Sequence, residues 1–157
     1  MNRTIDHLLE NYGESHQNET NKLIHWFCVP LIVLVVFGLF WELPVPVAIK
    51  RALPFFNWCW LFMVLTVSYY FFLSFKLAVG LIIYTAICAS FLMWYEYQSF
   101  IPLWQTCVVA FIILWIMQFI GHHIEGKKPS FLTDVKYLLI GPAWLMAFIY
   151  RRLNIVY

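Results

Sequence analysis

Leu23–Trp41 reads LIHWFCVPLIVLVVFGLFW, nineteen consecutive residues without an Asp, Glu, Lys or Arg. As a helix rising 1.5 Å per residue it is about 28 Å long, close to the roughly 30 Å of a bilayer's hydrocarbon core. The same reading repeats along the chain. Ala52–Phe75, Leu77–Tyr95, Tyr97–Gly121 and Tyr137–Tyr150 are also free of charged side chains. The first four runs are long enough to cross a membrane. The fifth has 14 residues and reaches only about 21 Å. Over 157 residues, 63% are hydrophobic and 11% charged, against about 25% charged in a soluble domain. A soluble core could not bury that much apolar surface; lipid can. A barrel is excluded because barrel strands alternate polar and apolar residues, whereas these runs are apolar on every side. Lipid leaves the helix as the other way to satisfy the backbone. The expected fold is therefore all-α, a polytopic bundle in one membrane domain, 1–157.

Working outward from the first run, Ile5, Leu8, Leu9 and Tyr12 fall at i, i+3, i+4 and i+7. They form one stripe of a short helix that Gly13 is placed to end. Such a stripe before a span suits an interfacial helix, so 1–21 is read as an interfacial N-terminal segment. Asn18 is positioned to cap the next helix. Four spans are expected within 22–121, at 22–42, 55–74, 77–95 and 101–121. Pro30 lies inside the first, the proline-rich loop 43–54 follows it, and a tight turn at Ser74–Lys76 joins the second and third. A polar loop from His122 to Lys136 leads to the fifth run, interrupted by Gly141-Pro142, which favours a re-entrant or interfacial segment within 122–157. Cys28, Cys59, Cys88 and Cys107 each sit in an apolar run with no C-x-x-C spacing, which marks them as packing residues. The net charge of +2 gives no basic footprint for nucleic acid. Membrane lipid is the expected surroundings.

With four spans, both termini, the Lys76 turn and the 122–136 loop share one side. That side carries Arg3, Lys22, Lys76, Lys127, Lys128, Lys136, Arg151 and Arg152; the other carries Lys50 and Arg51. The positive-inside rule then places the termini in the cytoplasm. A bacterial inner membrane and the endoplasmic reticulum both fit.

All five histidines, His7, His16, His25, His122 and His123, fall on that same side, near span ends. Imidazole is the commonest transition-metal ligand among side chains. A metal site needs ligands from separate elements at one depth, and topology supplies this for His16 and His25 on one hand and His122, His123 and Glu125 on the other. Half-polar rings also gather at interfaces for their own comfort, and that reading stands beside the metal one. His16 and His25 are nine residues apart, about 180° around a continuous helix, so the chain must bend between them to bring both to one ion. His122 and Glu125, three apart, share a helix face. His123 points about 100° away, and His7 belongs to an exposed helix. Gln118, one turn before His122, could orient a ligand or serve as interhelical glue. Lys127 and Lys128 could attract a carboxylate or act only as positive-inside anchors.

These residues form two motifs. His16-x4-Asn21-x3-His25 leads into an apolar span with Pro30. Gln118-Phe-Ile-Gly-His122 is followed by Glu125-Gly-Lys-Lys-Pro129. Together, in this order, they resemble the signatures of the 2-hydroxy fatty acid dioxygenase family, small membrane proteins whose fungal members act in fatty acid α-oxidation at the endoplasmic reticulum. The resemblance covers most of the chain. It implies an iron(II)-dependent dioxygenase that shortens a 2-hydroxy fatty acid by one carbon with molecular oxygen. The residues it marks are His16, His25 and His122 as metal ligands. Glu125 is the candidate catalytic residue, as a ligand or as support for one. Lys127, Lys128, Gln118 and Asn21 form the candidate substrate-binding set. A ferrous centre with few protein ligands leaves positions for substrate and oxygen. Alternatives are a non-enzymatic lipid- or haem-binding scaffold and another membrane metalloenzyme acting on lipids; the histidine boxes of di-iron hydroxylases need more histidines than five.

Overall fold

A computed structural model describes residues 4–98, 101–126 and 136–157 of the chain, with side chains from 139 onward in the last segment. It contains α1 (Thr4–Glu14), α2 (Glu19–Trp41), α3 (Val47–Ala52), α4 (Trp58–Leu73), α5 (Phe75–Gln98), α6 (Leu103–Glu125) and α7 (Lys136–Arg152). Among the described residues there is no strand, so the all-α expectation holds. Helices α2, α5 and α6 are long and apolar enough to cross a membrane. Helix α4, with 16 residues, is about 24 Å long and falls short of the other three. It starts three residues later than the 55–74 reading because Asn57 caps it, its side chain accepting from the Cys59 N–H at 2.7 Å. The turn after it is tighter than expected, Ser74 alone separating α4 from α5.

Large apolar side chains face outward along these helices. Phe72 is 90% exposed and Leu23 72%. In water such a surface would aggregate; in lipid it is the outer wall. The inner faces make two cores. One joins α2, α4, α5 and α6 around Phe37, Cys59, Cys88, Leu92 and Cys107. All four cysteines are buried and free, as their setting in apolar runs implied.

The second core holds α1 and α7 against the bundle through Ile5, Leu9, Tyr12, Ile140, Ala143, Trp144 and Ala147. The apolar stripe of α1 is therefore covered by protein, with Ile5, Leu9 and Tyr12 buried against this core. Gly141-Pro142 does not interrupt α7, contrary to the sequence expectation. Gly141 instead marks the close approach to α1 and α2, where an added Cβ would lie 3.1 Å from the Tyr12 hydroxyl and 3.4 Å from Val29. Leu139 and Pro142 flank an apolar slot with Ile32, Val33, Val36 and Phe37 of α2, and the Tyr70 hydroxyl donates to Leu139 O at 2.6 Å. The other end of α7 lies at the α4–α5 turn. There the Tyr150 hydroxyl donates to Lys76 O at 2.8 Å, and Lys76 Nζ donates to Val156 O at 2.5 Å.

Candidate metal centre

The centre starts from a break in the chain. Helix α1 stops at Glu14, one residue past Gly13, and α2 starts at Glu19. Between them Asn18 adopts extended backbone, and its side chain accepts from Thr20 N at 2.9 Å and Asn21 N at 3.3 Å. This cap satisfies two amides that a helix start leaves open. The bend puts His16 beside His25 rather than on the far side of one helix. His122 arrives from the last turn of α6, which ends at Gly126 in a left-handed conformation (φ 73°) that glycine adopts without strain.

The three rings meet. Ring centroids are 4.2 Å apart for His16–His25, 4.9 Å for His25–His122 and 5.3 Å for His16–His122. All three side chains are buried, and one nitrogen from each lies within 4.8 Å of the others, a set able to hold a metal ion. Two of the rings are oriented by backbone carbonyls. His16 Nδ1 lies 2.6 Å from Tyr12 O, and His25 Nδ1 lies 3.0 Å from Asn21 O. A carbonyl only accepts, so Nδ1 carries the proton in both, and each Nε2 keeps its lone pair for a cation. Tyr12 also stacks on His16 at 4.2 Å with planes 15° apart, and Trp144 approaches both rings at 5.7 Å. Burial pushes the Tyr12 phenol above its ordinary range, so this flanking ring stays neutral.

Glu125 is not one of the three clustered ligands. Its Oε1 accepts from Gln17 N at 2.7 Å, and its Oε2 accepts from Asn18 N at 2.9 Å and Asn21 Nδ2 at 3.0 Å. Asn21 Nδ2 also donates to Ser15 O at 3.3 Å. Glu125 thus ties the end of α6 to the turn that carries His16, with Asn21 buried beneath. Gln118 is buried, one turn before His122 on α6. Asn21 Oδ1 and Gln118 Nε2 are buried with no hydrogen-bond partner among the described residues. Spare polar capacity of this kind fits a site built for a polar occupant.

A family model described as 2-hydroxy-palmitic acid dioxygenase Mpo1-like matches residues 2–153. The chain belongs to the Mpo1-like family. No curated protein and no solved structure matches it. Membership makes this a dioxygenase-like enzyme of a family named for a fatty acid substrate, carried on membrane-type helices.

In this Mpo1-like chain the histidines chosen from sequence, His16, His25 and His122, are the ones brought together. His7 and His123 are exposed. Gln118 and Asn21 lie around the cluster, and Lys127 and Lys128 lie outside the described residues. Sequence reasoning missed Tyr12 and Trp144. Tyr12 precedes His16 by four residues, a spacing that signals its contact; Trp144 carries no local signal, because only the docking of α7 brings it near.

Gly121 has a steric reason to be glycine. A Cβ there would lie 2.5 Å from Asn21 Oδ1 and 3.4 Å from Ile24. Gly121→Ala is expected to push Asn21 off Glu125, costing about 1–3 kcal/mol of stability and weakening metal binding. Thermal unfolding together with metal titration checks this.

Proposed function

We propose that this protein is an iron(II)-dependent dioxygenase that shortens 2-hydroxy fatty acids by one carbon, a step of fatty acid α-oxidation. The observation that carries the reading is the convergence of three buried histidines, two with Nδ1 committed to a backbone carbonyl, in a chain of the Mpo1-like family. His16, His25 and His122 would hold the ion. Bound there, ferrous iron supplies the capacity to bring molecular oxygen and a 2-hydroxy acid together and pass electrons between them. Loss of C1 as carbon dioxide, with C2 becoming the new carboxyl, consumes one oxygen molecule and yields one water. That balance needs no outside reductant.

The protein's own residues hold the geometry. Tyr12 O and Asn21 O fix the ring orientations of His16 and His25. Gln118 lies one turn before His122 on α6, within reach of a polar group bound at the cluster. Glu125 acts as a positioning residue, locking the His16 turn onto α6 through three hydrogen bonds. The three rings are buried, with Tyr12 and Trp144 flanking His16. Helix α7 is read as re-entrant or interfacial, because its 17 residues reach only about 26 Å and both its start and its end pack near the histidine face. The charge bias of that face favours a centre on the cytoplasmic side, in a bacterial inner membrane or the endoplasmic reticulum.

The test is product analysis. Purified protein given 2-hydroxypalmitate and oxygen is expected to form the acid one carbon shorter, to lose this activity on chelation and to regain it with ferrous iron. Unchanged product formation after complete metal removal would overturn the assignment.

A further inference from the structure

A cavity of about 970 Å³ opens beside His16, between α1, the start of α2 and the end of α7. Its charges are segregated. The α1 wall carries Asp6, Glu10 and Glu14; the α2 and α7 wall carries Lys22, Arg151 and Arg152. Helical spacing builds the cationic wall. Trp144, Phe148, Arg151 and Arg152 stand at i, i+4, i+7 and i+8 of α7, and Lys22 precedes Trp26 by four on α2. Trp26 and Phe148 meet edge to face at 5.0 Å, and the Arg152 guanidinium sits 5.6 Å from the Phe148 ring centroid. Arg151 Nε donates to Ala147 O at 3.3 Å, which steadies its stem on the helix. Among the described residues none of these three cations is in an ion pair. The cavity lining thus brings His16, Trp144, an aromatic ledge and two guanidinium groups to one space.

We infer that this cavity is the head-group site of the enzyme, in which Arg151 and Arg152, with Lys22, bind the carboxylate of a free 2-hydroxy acid and so select the acid over its esters. The inference rests on the histidine cluster being the reaction centre. Guanidinium matches a carboxylate as a two-pronged donor. An ionised carboxylate has about four lone-pair sites, so it can accept from more than one of these cations at once. The acids line the α1 side, so a carboxylate finds its donors on the α2 and α7 side. The aromatic ledge takes the first methylenes of the chain, and the rest continues into lipid. An ester has no charge to offer this wall.

The experiment is equilibrium binding to the full chain in lipid nanodiscs, with metal removed, using radiolabelled 2-hydroxypalmitate and its methyl ester. The unmodified protein is expected to bind the acid about tenfold or more tightly than the ester, the scale of a charge-assisted hydrogen bond. Arg151→Gln/Arg152→Gln should bring the acid down to the ester's affinity and leave the ester unchanged. Arg151→Lys/Arg152→Lys should keep most of the preference, and Lys50→Gln/Arg51→Gln, outside the cavity, should keep all of it. Equal binding of acid and ester by the unmodified protein would overturn the proposal, and this comparison needs no variant to fold. So would a preference that survives Arg151→Gln/Arg152→Gln, or one lost equally in Lys50→Gln/Arg51→Gln. Iron loading and product formation on the same preparations separate the two readings. Arginine-dependent acid binding without iron loading upholds this site and sinks the iron assignment. Iron loading and product formation without acid preference do the reverse.

Discussion

Replacing His25 with Ala is expected to abolish both iron retention and turnover. His25 has the closest ring approach to each of the other two histidines and lies within a spanning helix, so no mobile loop can bring a substitute to its place. Losing an outer support of a metal ligand costs about 10–100-fold in affinity. Losing a ligand itself should cost at least the upper end of that range. His16→Ala and His122→Ala should behave alike, while His7→Ala and His123→Ala, on exposed side chains, should load and turn over normally. Metal analysis of each purified variant, with circular dichroism to confirm retained helix, reads the result. Full iron occupancy in His25→Ala would remove that residue from the centre.

Glu125→Ala should give the second-largest effect without touching a ligand. It removes the acceptor for two backbone amides and for Asn21 at once. Hydrogen bonds to a charged group contribute about 1.5–3 kcal/mol each where they are shielded from water, and less at this partly exposed position. The His16 turn should loosen, with iron affinity down about 10–100-fold and activity restored in part by excess ferrous iron. Glu125→Gln keeps one acceptor oxygen and should fall between. Tight iron binding with no turnover in Glu125→Ala would instead assign Glu125 a direct part in the reaction. Metal titration beside the activity assay distinguishes these outcomes.

The parts of the fold legible in sequence are those set by local rules. Charge-free runs gave the long helices, the Asn18 side chain gave the start of α2, and the nine-residue spacing of His16 and His25 required the bend that Ser15–Asn18 makes. Depth alone placed the three histidines together, because topology puts the ends of α2 and α6 at one face. What local pattern could not supply was contact partners. The stripe of α1 is the same stripe whether it faces lipid or α7, so the interfacial reading missed that Tyr12 is packed in the second core. Gly141-Pro142 carries a break signal that docking onto Tyr12 and Val29 overrides. Glu125 was visible as a face-mate of His122, but its three donors come from more than a hundred residues away and leave no trace in spacing. The cationic wall at Arg151 and Arg152 was equally hidden, since in sequence those arginines read only as positive-inside anchors.

The central claim, a three-histidine iron centre acting on 2-hydroxy acids, is tested most directly by oxygen uptake of the purified protein of known iron content. The account predicts iron bound in proportion to protein, and oxygen consumption that 2-hydroxypalmitate stimulates and palmitate does not. Protein that holds no iron when prepared with ferrous salt under reducing conditions, and consumes no oxygen with the 2-hydroxy acid, would contradict it.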